Sequence, residues 1–386
     1  MTGRNVVVVA PYSPGGLSEH LGAAKKIELV LGLLHRLGNR VHLVDSSHPT
    51  LAFAAPVHGQ ACAVGDTPVT LWRPSCLPHR KLGKLLNVVA PGAFLKRLLV
   101  LAPAFVWVYN SYSFEARAAL YLKRHARSKV VLELEDLPRA RGRSLNPKPW
   151  LDQRFFAPLL AAADLVTYVN AGLQRQFATP AQRSLLFPSL LQQALVDAPH
   201  KQRFAQARYR VGYFGGLEHE KGADVLLRTL AQLPAAWTLV VTGVGSLAAA
   251  FSDAQAAHPE RLEFHGRVSH ATVSSLMQSC DAIVNPHTPI SQMREGVFPF
   301  KVCEALASGS LLISTALPAI AIDLSHAVLP FDGSAEGLAA ALAHAPAFHA
   351  ENAAAVGRTR DDICARYSEA SMFKQLRAEL DAVLAA

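Results

Sequence analysis

The stretch VGYFGGLEHEKGADVLLRTLAQLP, residues 211–234, holds an apolar run, a glycine pair, a Lys-Gly turn and a helical repeat of leucines. An apolar run that stops at Gly215 and Gly216, and resumes as a helix after Lys221-Gly222, reads as the first strand and helix of a doubly wound unit. TLVVT at 238–242 supplies the next strand. Glycines at such a turn let backbone N–H groups approach an anion, and Lys221 adds a point charge. The turn is neither a Walker A loop nor Gly-x-Gly-x-x-Gly. Taken alone, it fits an ordinary tight turn equally well.

The same alternation runs along the whole chain. β-Branched, apolar runs occur at 5–10, 41–45, 69–72, 105–109, 130–135 and 165–169. They return at 210–214, 238–242, 262–265, 282–285, 311–314 and 327–330. Helical spacers separate them, which predicts parallel sheets covered on both faces. At 386 residues the chain exceeds one ordinary domain. The expected class is α/β, with two Rossmann-like doubly wound parallel-sheet domains. The weakest joint lies at 187–209. It predicts an N-terminal domain over 1–188, a C-terminal domain over 189–366, and a closing helix over 367–386 packing back toward the N-terminal domain. Ligands of such domains sit at the carboxyl ends of the strands, here expected in a cleft between the two.

Composition excludes several classes. The five cysteines, Cys62, Cys76, Cys280, Cys303 and Cys364, are scattered without a Cys-x-x-Cys pair. That fits reduced thiols rather than a disulfide framework or a zinc site. The opening MTGRNVVVVAPYSPGG reads as a first strand, not a signal peptide. The longest apolar region, 98–109, falls short of the roughly 18 residues a membrane span needs. The expectation is a cytoplasmic protein that does not cross a membrane.

Charge is distributed unevenly. Residues 1–185 hold 23 Lys+Arg against 10 Asp+Glu, whereas 186–386 hold 15 against 19. A basic half beside a mildly acidic one points to an anionic surface or ligand on the basic side; a solvated face with surplus arginine is the plainer reading. In 78–100, Arg80, Lys81, Lys84, Lys96 and Arg97 interleave with Leu, Val and Phe. Such segments lie on anionic lipid headgroups, and a core helix with a basic outer face has the same pattern. The expected location is the inner face of the plasma membrane, held peripherally. Nucleic acid is not expected, since neither a recognised motif nor an aromatic stacking set occurs.

Chemistry concentrates in a second stretch, REGVFPFKVCEALASGSLLIST at 294–315. Pro299 suits a helix start and Gly309 a helix end. Lys301 and Glu304 are three apart and share a face. A carboxylate there can accept two hydrogen bonds from a vicinal diol such as ribose, while Lys and the helix dipole attract phosphate. A capping carboxylate with an i,i+3 ion pair is the alternative. Upstream, Gly243 and Gly245 close one strand, and Gly266 with Arg267 closes another. Three successive strand ends carrying glycine suit a cleft that needs close backbone approach.

The segments GGLEHEKGADVLL, VVTGVGS, LEFHGRV, SCDAIVNP and EGVFPFKVCEALASG, in this order, resemble the C-terminal domain of family 4 (group 1) glycosyltransferases. APYSPGGLSEHLGAAKKIELVLGLLHRLGNRVHLV, with Gly15 and Gly16, is similar to their opening strand, Gly-rich loop and helix. The resemblance covers nearly the whole chain. It implies the GT-B fold, two facing Rossmann-like domains that close over the donor, and sugar transfer from a nucleotide sugar with retention. In that family two glutamates bind the donor, the second at the ribose and the first at the sugar ring. By resemblance the second is Glu304 and the first Glu295, with eight intervening residues here rather than seven. Lys221 matches the lysine that neutralises the diphosphate. The arginine usual after the first glycine is replaced by Gly216, so Lys301 or Arg294 is expected to supply that charge. Gly215, Gly245 and Arg267 complete the expected donor site.

In the first domain, VVLELEDLPRARGRS places Glu133 and Glu135 on one strand face and Asp136 at its carboxyl end. Many relatives carry His-Asp here. Asp136 and Glu135 are therefore expected, with Glu295, to serve catalysis or to orient the sugar. A loop carboxylate paired with Arg139, Arg141 or Arg143 is the alternative. Those three arginines suit an acceptor or lipid phosphate. No Asp-x-Asp occupies a suitable loop and the histidines are dispersed, so neither metal nor cofactor is expected. The substrate would be a UDP- or GDP-linked sugar, and the acceptor lipid-linked or polysaccharide. A GT-B nucleotide-sugar epimerase, or a non-catalytic homologue that binds a sugar nucleotide or a partner transferase, are the competing readings.

Overall fold

The structure, a computed structural model, describes residues 3–14, 21–47, 56–74, 88, 91–137, 148–188, 190–287, 301–316, 324 and 326–386. The chain divides into two compact units, residues 1–188 with 373–386, and residues 189–372.

The first unit is built on strands β1 (Asn5–Ala10), β2 (Arg40–Asp45), β3 (Val57–Val64), β4 (Thr67–Arg73), β5 (Phe105–Tyr109), β6 (Lys129–Leu134), β7 (Leu165–Tyr168) and β8 (Arg183–Leu186). They form one sheet in the order β3-β4-β2-β1-β5-β6-β7-β8. Val8 of β1 lies between Leu43 of β2 and Trp107 of β5. All five residues of β5 are buried, as a strand covered on both faces requires. Each buried Val or Leu contributes roughly 1.5–3 kcal/mol. In place of a wholly parallel sheet, one edge carries an antiparallel hairpin, β3 against β4. The β3 residues are mostly exposed and turn through Gly65, at φ 55°, so no hydrophobic alternation marks this edge in the sequence.

The second unit holds β9 (Tyr209–Phe214), β10 (Trp237–Thr242), β11 (Leu262–Phe264), β12 (Ala282–Asn285), β13 (Leu311–Ser314) and β14 (Val328–Pro330). These are all parallel, in the order β11-β10-β9-β12-β13-β14. The order reverses between β9 and β12, which opens a crevice at their carboxyl ends. The core under it includes Tyr213, Trp237, Phe251 and Ile313. The helix Lys301–Ala307 follows the crevice and ends before Gly309, whose φ of 72° is the left-handed value that terminates helices. The final helix, Glu369–Ala385, rejoins the first unit from residue 373 onward. Arg36 lies over the Phe373 ring at 5.3 Å and Arg183 pairs with Glu379 at 2.9 Å.

Candidate functional site

The carboxyl ends of β9, β10 and β12 are packed backbone against backbone. Leu217 N–H donates to the Val244 carbonyl at 2.9 Å, and Gly215 N–H to the Thr242 carbonyl at 3.1 Å. A Cβ on Gly243 would stand 1.9 Å from the Gly215 oxygen, and one on Gly222 would stand 2.0 Å from the Pro286 oxygen. Both glycines have positive φ, so no other residue fits. Gly245 likewise abuts the Leu217 carbonyl. The sequence reading gave these glycines to a ligand. In the structure the Gly215 N–H, Gly243 and Gly245 hold the loops on one another. Gly216 differs: a Cβ there meets nothing within 4 Å, and its carbonyl accepts from the Tyr213 hydroxyl at 2.7 Å.

Two lysines enter this space from different elements. Lys221 ends the short turn after β9, with Nζ 3.5 Å from His287 Nε2 and 3.9 Å from the exposed Glu220 carboxylate. Lys301 opens its helix, with Nζ 4.1 Å from the centroid of the Tyr213 ring and 3.6 Å from where a Gly215 Cβ would be. Burial, and then the Lys221 charge, push the Lys301 ammonium down to about 7. Among the described residues, no carboxylate pairs with Lys301. An aromatic face offers a cation about 0.5–2 kcal/mol, which does not cancel the charge. The pair therefore leaves a local excess of positive potential suited to an anion. Glu218, another acid on the β9 loop, is committed elsewhere. It accepts from the Ser246 N–H at 3.0 Å and from the Ser246 hydroxyl, and these bonds hold it below the usual carboxylate range.

Glu304 is 7% exposed on the same helix as Lys301. Gln192 Nε2 donates to its Oε1 at 3.5 Å, while Gln192 Oε1 accepts from the Ser274 hydroxyl at 2.6 Å. One carboxylate oxygen is thus oriented by a chain that begins on the helix His270–Ser279. Arg267 is exposed beyond β11, the edge strand. Gly15, Gly16, Arg139, Arg141, Arg143, Arg294 and Glu295 lie outside the described residues. His287, Tyr213 and Gln192 were not singled out from the sequence. For His287 a signal existed, because it directly follows the strand-end Asn285-Pro286.

In the first unit, Glu133 and Glu135 do share a face, and both reach Lys26 of the helix Leu21–Arg36. Lys26 Nζ lies 3.5 Å from Glu133 and 3.2 Å from Glu135. It also donates to the Phe187 carbonyl at 2.5 Å and stands 3.9 Å from that ring. Trp107 Nε1 donates to Glu133 at 2.8 Å. All three charges are buried. Burial raises both carboxyls against the opposing pull of Lys26, and Glu135 reaches about 8. Glu135 is thus committed to Lys26, whereas Asp136 is exposed. Asn110, at φ 60°, fixes that turn by accepting the N–H groups of Glu135 and Asp136 at 2.8 and 2.9 Å. Lys26 carries no sequence signal of its burial beyond the apolar Ala24 and Ile27 around it. Among the described residues no His/Cys/Asp/Glu cluster could hold a metal, and no helix is long and apolar enough to cross a membrane.

Residues 208–345 match the family model described as "Glycosyl transferases group 1". No curated protein matches the sequence. Among solved structures, sucrose-phosphate synthase from Thermosynechococcus elongatus superposes with a TM-score of 0.69 at 14% identity, over 99% of both chains. HepE of Anabaena in complex with UDP gives 0.66 at 16%, over 98% of this chain and all of the other; its complex with UDP-glucose gives 0.63 at 15%, with the same coverage. Trehalose 6-phosphate synthase from Burkholderia multivorans gives 0.65 at 15%, over 100% and 98%. These likenesses establish the architecture: the chain has the GT-B fold, with a group 1 glycosyltransferase signature in its second unit.

Proposed function

We propose that this protein is a family 4-like glycosyltransferase. It takes a sugar from a nucleotide sugar, with retention, and passes it to a membrane-associated glycolipid or polysaccharide acceptor. The observation that carries this reading is the meeting of Lys221 and Lys301 beside the open flank of Gly216. At that flank the family pattern has an arginine; here Lys301 comes from a helix remote in sequence to lie beside the neighbouring Gly215, leaving the Gly216 flank open. UDP is the favoured nucleotide, since solved structures of this fold hold UDP and UDP-glucose.

In the proposed mechanism the lysines carry the charge that develops on the departing diphosphate. That stabilisation matters most in the transition state, where the charge is largest. Glu304, with Gln192 holding one oxygen, accepts the ribose hydroxyls. Glu295 would contact the sugar ring, with Arg294 nearby, and no metal is required. Asp136 would face the acceptor, while Glu135 acts on it only through the shared turn and Lys26. The basic first unit would hold the protein peripherally at the inner, anionic face of the membrane.

The test is transfer of labelled sugar from UDP-glucose and other UDP sugars into a membrane lipid extract. Lys221→Ala should cut transfer by about 10²–10³. Nucleotide-sugar binding without transfer, epimerisation or release of the sugar would move the assignment to a binding homologue.

A further inference from the structure

The first unit has one helical face whose charges all have a single sign. It is built from the helices Gly92–Leu98, Ser113–Ala126 and Lys148–Ala162, with the middle helix touching both others. Their only acidic residues, Glu115 and Asp152, are both buried and turned inward. Glu115 accepts from the Ser46 hydroxyl; Asp152 accepts from the Ser113 N–H and hydroxyl at 2.8 and 2.5 Å. Lys96, Arg97, Arg124 and Arg154 are exposed. Lys123 is the exception to an open cationic face, since it pairs with Asp164 at 2.7 Å.

Between these helices runs a groove of about 450 Å³. Pro91, Leu95, Leu120, Tyr121 and Phe155 give it an apolar floor, and Arg117, Arg124 and His125 stand along it. Arg117 lies over the Phe155 ring at 5.8 Å, and the Tyr121 and His125 rings are 4.3 Å apart. The same helices and the turn after the first carry the two most exposed large apolar side chains among the described residues. These are Val100, 80% exposed, and Trp150, 66% exposed.

We infer that this face docks on a bilayer containing anionic phospholipid. Its lysines and arginines would meet the phosphates, with Trp150 and Val100 entering the headgroup boundary and the groove taking apolar lipid. Charge complementarity requires an anionic partner. Exposed aliphatic and indole groups on and next to the helices that form an apolar groove select lipid over a purely polar polyanion. The inference deepens the proposed reading by naming the face that would meet the membrane, and it rests on that reading for its purpose, which is to bring the enzyme to a membrane-bound acceptor.

Flotation of the full chain with phosphatidylcholine vesicles, with and without phosphatidylglycerol, tests it. The wild type should float only with the anionic vesicles and release with added salt. The triple variant Lys96→Glu, Arg97→Glu, Arg124→Glu should lower the partition coefficient by about a hundredfold or more. Trp150→Ala, a milder change, should lower it several-fold. UDP-glucose binding measured on the same preparations reports the second unit separately and should not change. Equal flotation with neutral vesicles, no flotation at all, or undiminished flotation of both variants would overturn the inference. So would capture by polyglutamate in the absence of any vesicle binding. Flotation by a protein that binds no nucleotide sugar would uphold the docking face and remove the transferase reading.

Discussion

Lys301 rests its ammonium on the face of Tyr213, 4.1 Å from the ring centroid, and Lys221 is close enough to depress its protonation. Because an aromatic ring rather than a carboxylate places Lys301, its charge when protonated is open to an anionic ligand. Lys301→Ala should therefore raise the donor KM and lower turnover, together costing about tenfold to a hundredfold in kcat/KM. That corresponds to loss of one charge-assisted contact of roughly 1.5–3 kcal/mol. Steady-state kinetics with saturating acceptor would check it, and unchanged constants would remove Lys301 from the donor site.

The same geometry gives two opposite pH dependences. Free Lys301 loses its proton near about 7, whereas bound phosphate would hold the proton on. UDP affinity should therefore fall as pH rises, by about fivefold from about pH 7 to pH 8, with proton uptake on binding. Its contribution to folding has the reverse sign. The folded value lies below the unfolded one, so the unfolded chain holds more protons above about pH 7 and stability rises through that window. Lys301→Arg should flatten both profiles.

Gly216 and Gly243 separate function from packing. A side chain at Gly216 enters open space, so Gly216→Arg should fold normally and tighten UDP binding severalfold by restoring the family's charge. Gly243→Ala drives a Cβ into the Gly215 carbonyl at φ 147°. It should destabilise the second unit by about 2–4 kcal/mol, visible in urea unfolding.

Lys26 bridges a buried pair of carboxyl groups, Glu133 and Glu135. Removing it in Lys26→Met should cost about 3–5 kcal/mol above about pH 8, where Glu135 is ionised, with a smaller loss as the pH falls below that value and Glu135 takes a proton. Replacing all three, as Lys26→Met with Glu133→Gln and Glu135→Gln, should recover much of the loss. If the single variant unfolds no more easily than the wild type, the cluster contributes nothing to the fold.

The strands most plainly legible in the sequence are those buried on both faces. FVWVY and NVVVVA announce themselves because a covered strand needs continuous apolar residues. The edge strands β3 and β8 escaped the reading, because Val57–Val64 is largely solvated and Arg183–Leu186 is four residues long. Lys221 and Lys301 were legible as a strand-end turn residue and a helix-start residue. Their mutual repulsion was not, since it depends on two loops meeting. The place of Glu135 at a strand end was legible, but its pairing with a lysine more than a hundred residues earlier was not. Hydrophobic periodicity survives without tertiary context, whereas a charge takes its meaning from partners remote in sequence.

The central claim is a nucleotide-sugar site in the second unit. Calorimetric titration of UDP, GDP and ADP into the wild type and Glu304→Ala tests it most directly. The account predicts selective binding of UDP by the wild type and a loss of at least about tenfold in the variant, as expected when the ribose loses its carboxylate partner. No binding of any nucleotide, or equal binding by both proteins, would contradict it.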